Sequence, residues 1–211
     1  MSAHHAAQIP FKDRAKAALA DRSLKVAIER TTGTAERKRA VAVAAFAEFE
    51  AARARGRAIK DHVIAHLDHY LEQFERNAIA SGAKVHWAAD DAEARAIVTR
   101  ICLDADAKLV TRSKSMLGEE IGLPHALADA GIERVETDLA ELIVQLGEDF
   151  PSHILVPAIH RNRAEIRDIF VAKMPNTDES LQPNPAELAE ASREFLRQQF
   201  MEAKVAISGC N

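Results

Sequence analysis

A chain of 211 residues with 47% hydrophobic and 28% charged side chains has ordinary globular composition and enough length to bury a real core. Its net charge of −4 gives no basic footprint for nucleic acid, so no nucleic-acid partner is expected. The most apolar uninterrupted run, AVAVAAFA at 40–47, is far short of the ~20 residues a membrane helix needs, so no membrane span is expected.

The opening MSAHHAAQIPFKDR lacks the charged start, apolar middle and small-residue cleavage site of a secretory signal. The two cysteines, Cys102 and Cys210, fit a reducing compartment better than a disulfide framework. Both readings point to a cytoplasmic protein. Residues 11–80 carry helical spacing and long Ala-rich stretches, which predicts a helical N-terminal region over 1–80. In it, Thr31-Thr32-Gly33-Thr34 is the expected interruption, with Thr34 capping the next helix. Within 59–74, Val63, Leu67, Tyr70, Leu71 and Phe74 recur at intervals of three and four and share one helical face. His62, His66 and His69 share a face too, a spacing that can supply metal ligands. With no Cys or acidic pattern to complete a site, they are read as solvated, and no metal is expected.

From Lys84 the rhythm changes. KVHWA (84–88) reads as a strand, followed by a helix capped at Asp90 or Asp91 with Ala94, Ile97, Val98 and Ile101 on one face. AKLVT (107–111) is the next strand, GEEIGLPHALADAG a helix closed by Gly131, IERVET (132–137) a strand, and DLAELIVQLGED a helix closed by Gly147. HILVP (153–157) reads as a further strand before the helix in RNRAEIRDIFVAK. A Pro-rich loop, MPNTDESLQPNPAE, leads to a helix ending near Ala203, and Val205-Ala206-Ile207 begins another strand. Strands alternating with helices predict an α/β domain over 81–211, with a mostly parallel sheet and helices on both faces.

In open α/β sheets ligands bind beyond the carboxyl ends of strands. TRSKSMLGEE, ETDLAE and AIHRNR occupy such positions. Lys114, with Arg112, Ser113 and Ser115, could join helix N–H groups in holding an anion while Glu119 and Glu120 orient the lysine or bind a hydroxyl. The same residues also read as capping chemistry, Ser115 capping a helix whose dipole the glutamates offset; spacing alone favours capping. His160 can serve as acid, base or donor, and Arg163 can grip a carboxylate beside Asn162, although the run taken alone favours a helix start with ordinary surface charge. The basic runs Arg37-Lys38-Arg39 and Arg53-Arg55-Arg57-Lys60 read as solvated helix faces. No glycine-rich phosphate loop, nucleophile elbow or Cys-x-x-Cys pair occurs.

Taken together, KVHWAADDAEA, SKSMLGEEIGLPHALADAGIERVETDLAELIVQL, PSHILVPAIHRNRAEI and MEAKVAISGCN resemble the lactate-utilisation (LUD) domain, and within it the iron-sulfur B subunit type. The resemblance implies a fold like the ribose-phosphate isomerase and CoA-transferase group. It also implies a part in oxidising L-lactate to pyruvate with other lactate-utilisation subunits. A 4Fe-4S cluster normally takes four Cys thiolates. This chain is therefore expected to hold no cofactor, with clusters in the full-length protein and a C-terminally incomplete domain here. The isolated chain is expected to be inactive, and its truncated sheet edge predicts a homo-oligomer. Lys114, Ser115, Glu119, Glu120, Glu136, Asp138, His160 and Asn162 match the family pattern as candidate ligand-binding residues, with Arg163 beside them and no catalytic residue assigned. A small carboxylate or phosphate is the candidate ligand. The alternatives are a small-anion or acyl-group transferase-like domain and a non-catalytic docking module for partner subunits.

Overall fold

The computed structural model describes residues 11–154 and 156–209. His4, His5 and Cys210 lie outside these. Four helices come first: α1 (Phe11–Ala20), α2 (Arg22–Ala45), α3 (Phe49–Ala65) and α4 (Leu67–Ala80). The interruption expected at Thr31–Thr34 does not occur, because α2 runs through it. Threonine costs a helix only tenths of a kcal/mol and a lone glycine about 1 kcal/mol, and the Ala, Arg, Glu and Lys around them offset that. Thr34 is therefore no cap; its hydroxyl accepts from Arg37 Nη2 at 3.2 Å. The cap lies upstream at Asp21, whose Oδ1 accepts from the N–H groups of Ser23 and Leu24 at 2.8 and 3.0 Å. The 59–74 helix breaks at His66, and no residue of α2, α3 or α4 is buried.

The chain forms two compact units, residues 30–87 and residues 1–29 with 88–211. In the second lie α5 (Asp91–Asp104), β1 (Leu109–Arg112), α6 (Met116–Glu120), α7 (Leu123–Asp129), β2 (Glu133–Glu136), α8 (Leu139–Leu146), α9 (Arg163–Lys173), α10 (Pro185–Glu202) and β3 (Val205–Ile207). Asp90 caps α5 by accepting from Glu93 N at 2.8 Å. The helix expected over 118–131 is split into α6 and α7, because Gly122 takes φ +70° and Pro124 restarts the helix. Gly131, at φ +72°, closes α7 as predicted.

The three strands are parallel in the order β2-β1-β3. Alternation along β1 puts Val110 against Cys102, Leu123 and Leu127 on one face and Leu109 with Val135, Leu142 and Leu196 on the other. Helices α5 and α7 thus cover one face and α8 and α10 the other, so the sheet is an α/β sheet buried on both sides. A further apolar layer joins Ile143 and Val144 of α8 to Phe170 of α9 and Leu188 of α10. The outer edge of β2 is partly occupied by one side chain: Gln145 accepts from Glu136 N at 2.9 Å and donates to Arg134 O at 2.7 Å.

Two expected strands do not form among the described residues. KVHWA forms no regular element and pairs with no strand; Trp87 is 55% exposed and its indole N–H donates to Glu75 of α4 at 2.8 Å. The described residues of HILVP form a turn, since Ser152 N donates to Pro157 O at 3.0 Å and Ile154 and Val156 stay exposed. Apolar alternation makes a segment able to pair, but a strand exists only where a neighbour supplies the ladder.

Candidate ligand site at the carboxyl ends of the strands

Parallel pairing brings Arg112 level with Glu136 on one side and Ile207 on the other. All three strands end at one rim. Arg112 and Glu136 are each 3% exposed. Arg112 donates from Nε to Glu136 Oε1 at 2.8 Å, its Nη2 lies 2.6 Å from the same oxygen, and Nη2 also pairs with Glu119. Arg134 Nε stands 3.5 Å from Glu136 Oε1. Gly118 leaves room for the guanidinium, since a Cβ there would lie 3.1 Å from Arg112 Nη1.

Burial pushes the Glu136 carboxyl up, and the hydrogen bond and charge of Arg112 offset that only in part. The Arg112 guanidinium remains charged despite its burial because Glu136 and Glu119 hold it so. Glu141, at the start of α8, is also pushed up, first by burial and then by the neighbouring Asp138 charge, against the opposing pull of Lys114. Lys114 Nζ lies 3.9 Å from Glu141 Oε1. Arg112 Nη1, Glu136 Oε2 and Glu141 Oε2 are buried and have no hydrogen-bond partner among the described residues.

The remaining rim residues are structural in their bonding. Ser115 caps α6 by accepting from Gly118 N at 3.0 Å, and Asp138 caps α8 by accepting from Ala140 N at 3.1 Å. The end of β3 closes over the rim: Ser113 N donates to Ile207 O at 2.8 Å, and Ser113 and Ser208 hydroxyls meet at 3.0 Å. Gly209 comes so near that an added Cβ would collide with the Ser115 side chain. Glu120 lies exposed on α6.

Lys114, Ser115 and Glu119 follow β1 and Glu136 and Asp138 end or follow β2, and Arg112 joins Glu119 to Glu136. His160, Asn162 and Arg163 do not follow a sheet strand. His160 sits in the α8–α9 connection, Asn162 forms a capping box with Glu165, and Arg163 is the exposed first residue of α9. Glu141 was missed as a candidate, and so was the buried role of Arg112; the Glu at the end of ETDLAE was the available signal. The carboxylates Glu119, Glu136, Asp138 and Glu141 outnumber Arg112, Lys114 and Arg134, so the rim is less cationic than the run RSKS suggested.

Residues 71–211, which include the whole rim, match the LUD domain. The chain belongs to the LUD domain family. Lactate utilization protein B of Bacillus thuringiensis (strain Al Hakam) is 36% identical over 203 residues, covering 95% of this chain and 42% of that protein. Lactate utilization protein B of Bacillus cereus (strain B4264) matches to the same extent. The chain thus spans less than half the length of these curated relatives. No solved structure matches this LUD chain significantly. Among the described residues no group of three or more His, Cys, Asp or Glu is placed to hold a metal ion. The rings of His62 and His66 lie 4.6 Å apart at a tilt of 51°, and His62 Nε2 lies 3.1 Å from the Tyr70 hydroxyl. No helix among the described residues is long and apolar enough to cross a membrane.

Proposed function

We propose that this chain is the LUD-domain portion of a cytoplasmic iron-sulfur electron-transfer subunit that, with other lactate-utilisation subunits, oxidises L-lactate to pyruvate. The observation that carries this reading is the 36% identity to Lactate utilization protein B, spread over 95% of the chain. In this reading residues 1–80 are a helical region and 81–211 the LUD-type α/β domain, while 4Fe-4S clusters belong to other parts of the full-length protein. Cys102 suits that division. It is fully buried, and burial pushes its thiol up, whereas a cluster ligand must be a thiolate.

The strand-end rim is the proposed ligand site. Arg112 Nη1, a buried donor without a partner, and the nearby Lys114 fit the carboxylate of the substrate or product of that reaction, and the partnerless Oε2 atoms of Glu136 and Glu141 fit the hydroxyl of lactate as donor. Deleting the gene is expected to abolish growth on L-lactate as sole carbon source, and the full-length gene to restore it. Normal growth of the deletion strain would overturn the assignment.

A second reading, a docking module for the partner subunits, draws on the exposed apolar residues Ile59, Ile64, Leu67 and Phe74 of α3 and α4. Co-purification of the partner subunits should then fail when Leu67 and Phe74 are both changed to Ser.

A further inference from the structure

The connection between α8 and α9 holds a second polar cluster that the lactate reading does not use. His160 bridges it. Its Nε2 lies 2.6 Å from Asp149 Oδ2 and its Nδ1 lies 2.8 Å from Ser152 Oγ. Asp149 is further fixed by Arg161, which donates from Nη2 at 2.6 Å and Nε at 3.1 Å to Oδ2, and by Phe150 N, which donates to Oδ1 at 2.8 Å.

A carboxylate can only accept, so the neutral ring must carry its proton on Nε2. Nδ1 is then left as an acceptor facing the serine hydroxyl. That hydroxyl has one proton and two claimants, Nδ1 at 2.8 Å and Pro157 O at 3.1 Å. Closing the turn does not require the hydroxyl, because Ser152 N already donates to Pro157 O at 3.0 Å. The Ser152 side chain is therefore surplus to the turn, exposed to solvent, and aimed at a base that a half-buried acid orients. Those are the geometric requirements for an activated nucleophile: a hydroxyl within reach of a base, and the base held by a third group.

We propose that Ser152 is a nucleophile, with His160 as its base and Asp149 as a positioning residue, and that the site accepts small activated acyl esters or thioesters. Ser152 Oγ bonds to the acyl carbon while its proton passes to His160 Nδ1. The bond to the alcohol or thiol breaks, and the leaving group takes that proton. Water then attacks the acyl-serine with His160 again as base, releasing the acid and restoring the hydroxyl. Arg161 shares the Asp149 oxygen and weakens it as an acceptor, which restricts the serine to activated donors. The proposal stands independently of lactate oxidation.

The test is labelling of the chain with diisopropyl fluorophosphate, followed by intact mass and peptide mapping. The expected result is a single adduct on Ser152, absent in Ser152→Ala and formed about 100-fold more slowly in His160→Gln. Should His160→Gln unfold, Asp149→Asn replaces it: loss of the carboxylate that holds the proton on Nε2 must slow the labelling of Ser152. No adduct on Ser152, or an adduct whose rate ignores both the ring and the acid that orients it, would overturn the proposal.

Discussion

The strand-end rim and the α8–α9 connection are both built from carboxylates facing arginines, yet they leave their acids in opposite states. At the rim, Glu136 is 3% exposed and burial raises its carboxyl despite direct contact with Arg112. In the connection, the Asp149 side chain is 26% exposed. Burial also pushes Asp149 up, but His160, the Phe150 N–H and Arg161 together bring it below the ordinary value. The difference lies in how many donors reach the carboxylate compared with how much water it loses. Glu136 leaves Oε2 without a partner, whereas both oxygens of Asp149 are bonded.

The comparison is most sharply tested by removing the arginines. Arg112→Ala strands a buried Glu136 charge and is expected to cost roughly 3 to 5 kcal/mol. Arg161→Ala leaves Asp149 with two other donors and partial exposure, so its cost should be well below that. Urea unfolding of both variants measures the gap, and equal losses would break the contrast.

A smaller effect separates capping from binding at the rim. Ser115→Ala removes the cap on Gly118 N and should cost about 1 kcal/mol. Lys114→Ala should leave the melting temperature nearly unchanged while weakening binding of lactate or pyruvate, read by calorimetric titration. A lysine variant that binds as wild type would leave the rim with capping chemistry alone.

The smallest effect is in the pH dependence. Glu136 and Glu141 lie above 4.5 in the folded chain, so just above that pH the native state holds protons that the unfolded state has lost. Their contribution therefore falls as pH rises through that window. Asp149 lies below 3.8, so its contribution is present above that value and is lost as pH falls through the lower folded one. Melting curves across acid pH should show Glu141→Gln removing part of the first slope and Asp149→Asn part of the second.

Much of the fold was determined by the sequence itself. Residues 107–111, 132–137 and 205–207 each carry apolar residues beside a turn signal, and each overlaps a strand. Asp90, Ser115 and Gly131 act as helix ends because capping is a local hydrogen-bond or φ requirement that neighbouring residues satisfy. Local signals also misled where the outcome needed a distant partner. KVHWA and the described part of HILVP have strand-like spacing but no adjacent strand, while Thr31–Thr34 yielded to the helix formers on either side.

Arg112 is the clearest case of what only the tertiary structure decided. In sequence it is one more cation in RSKS, available to an anion. In the fold, the register of β1 with β2 sets it level with Glu136, and Gly118 opens space beside it. The charge the sequence offered to a ligand is consumed inside the protein, because ion pairing depends on distance in space and parallel pairing joins residues 24 positions apart.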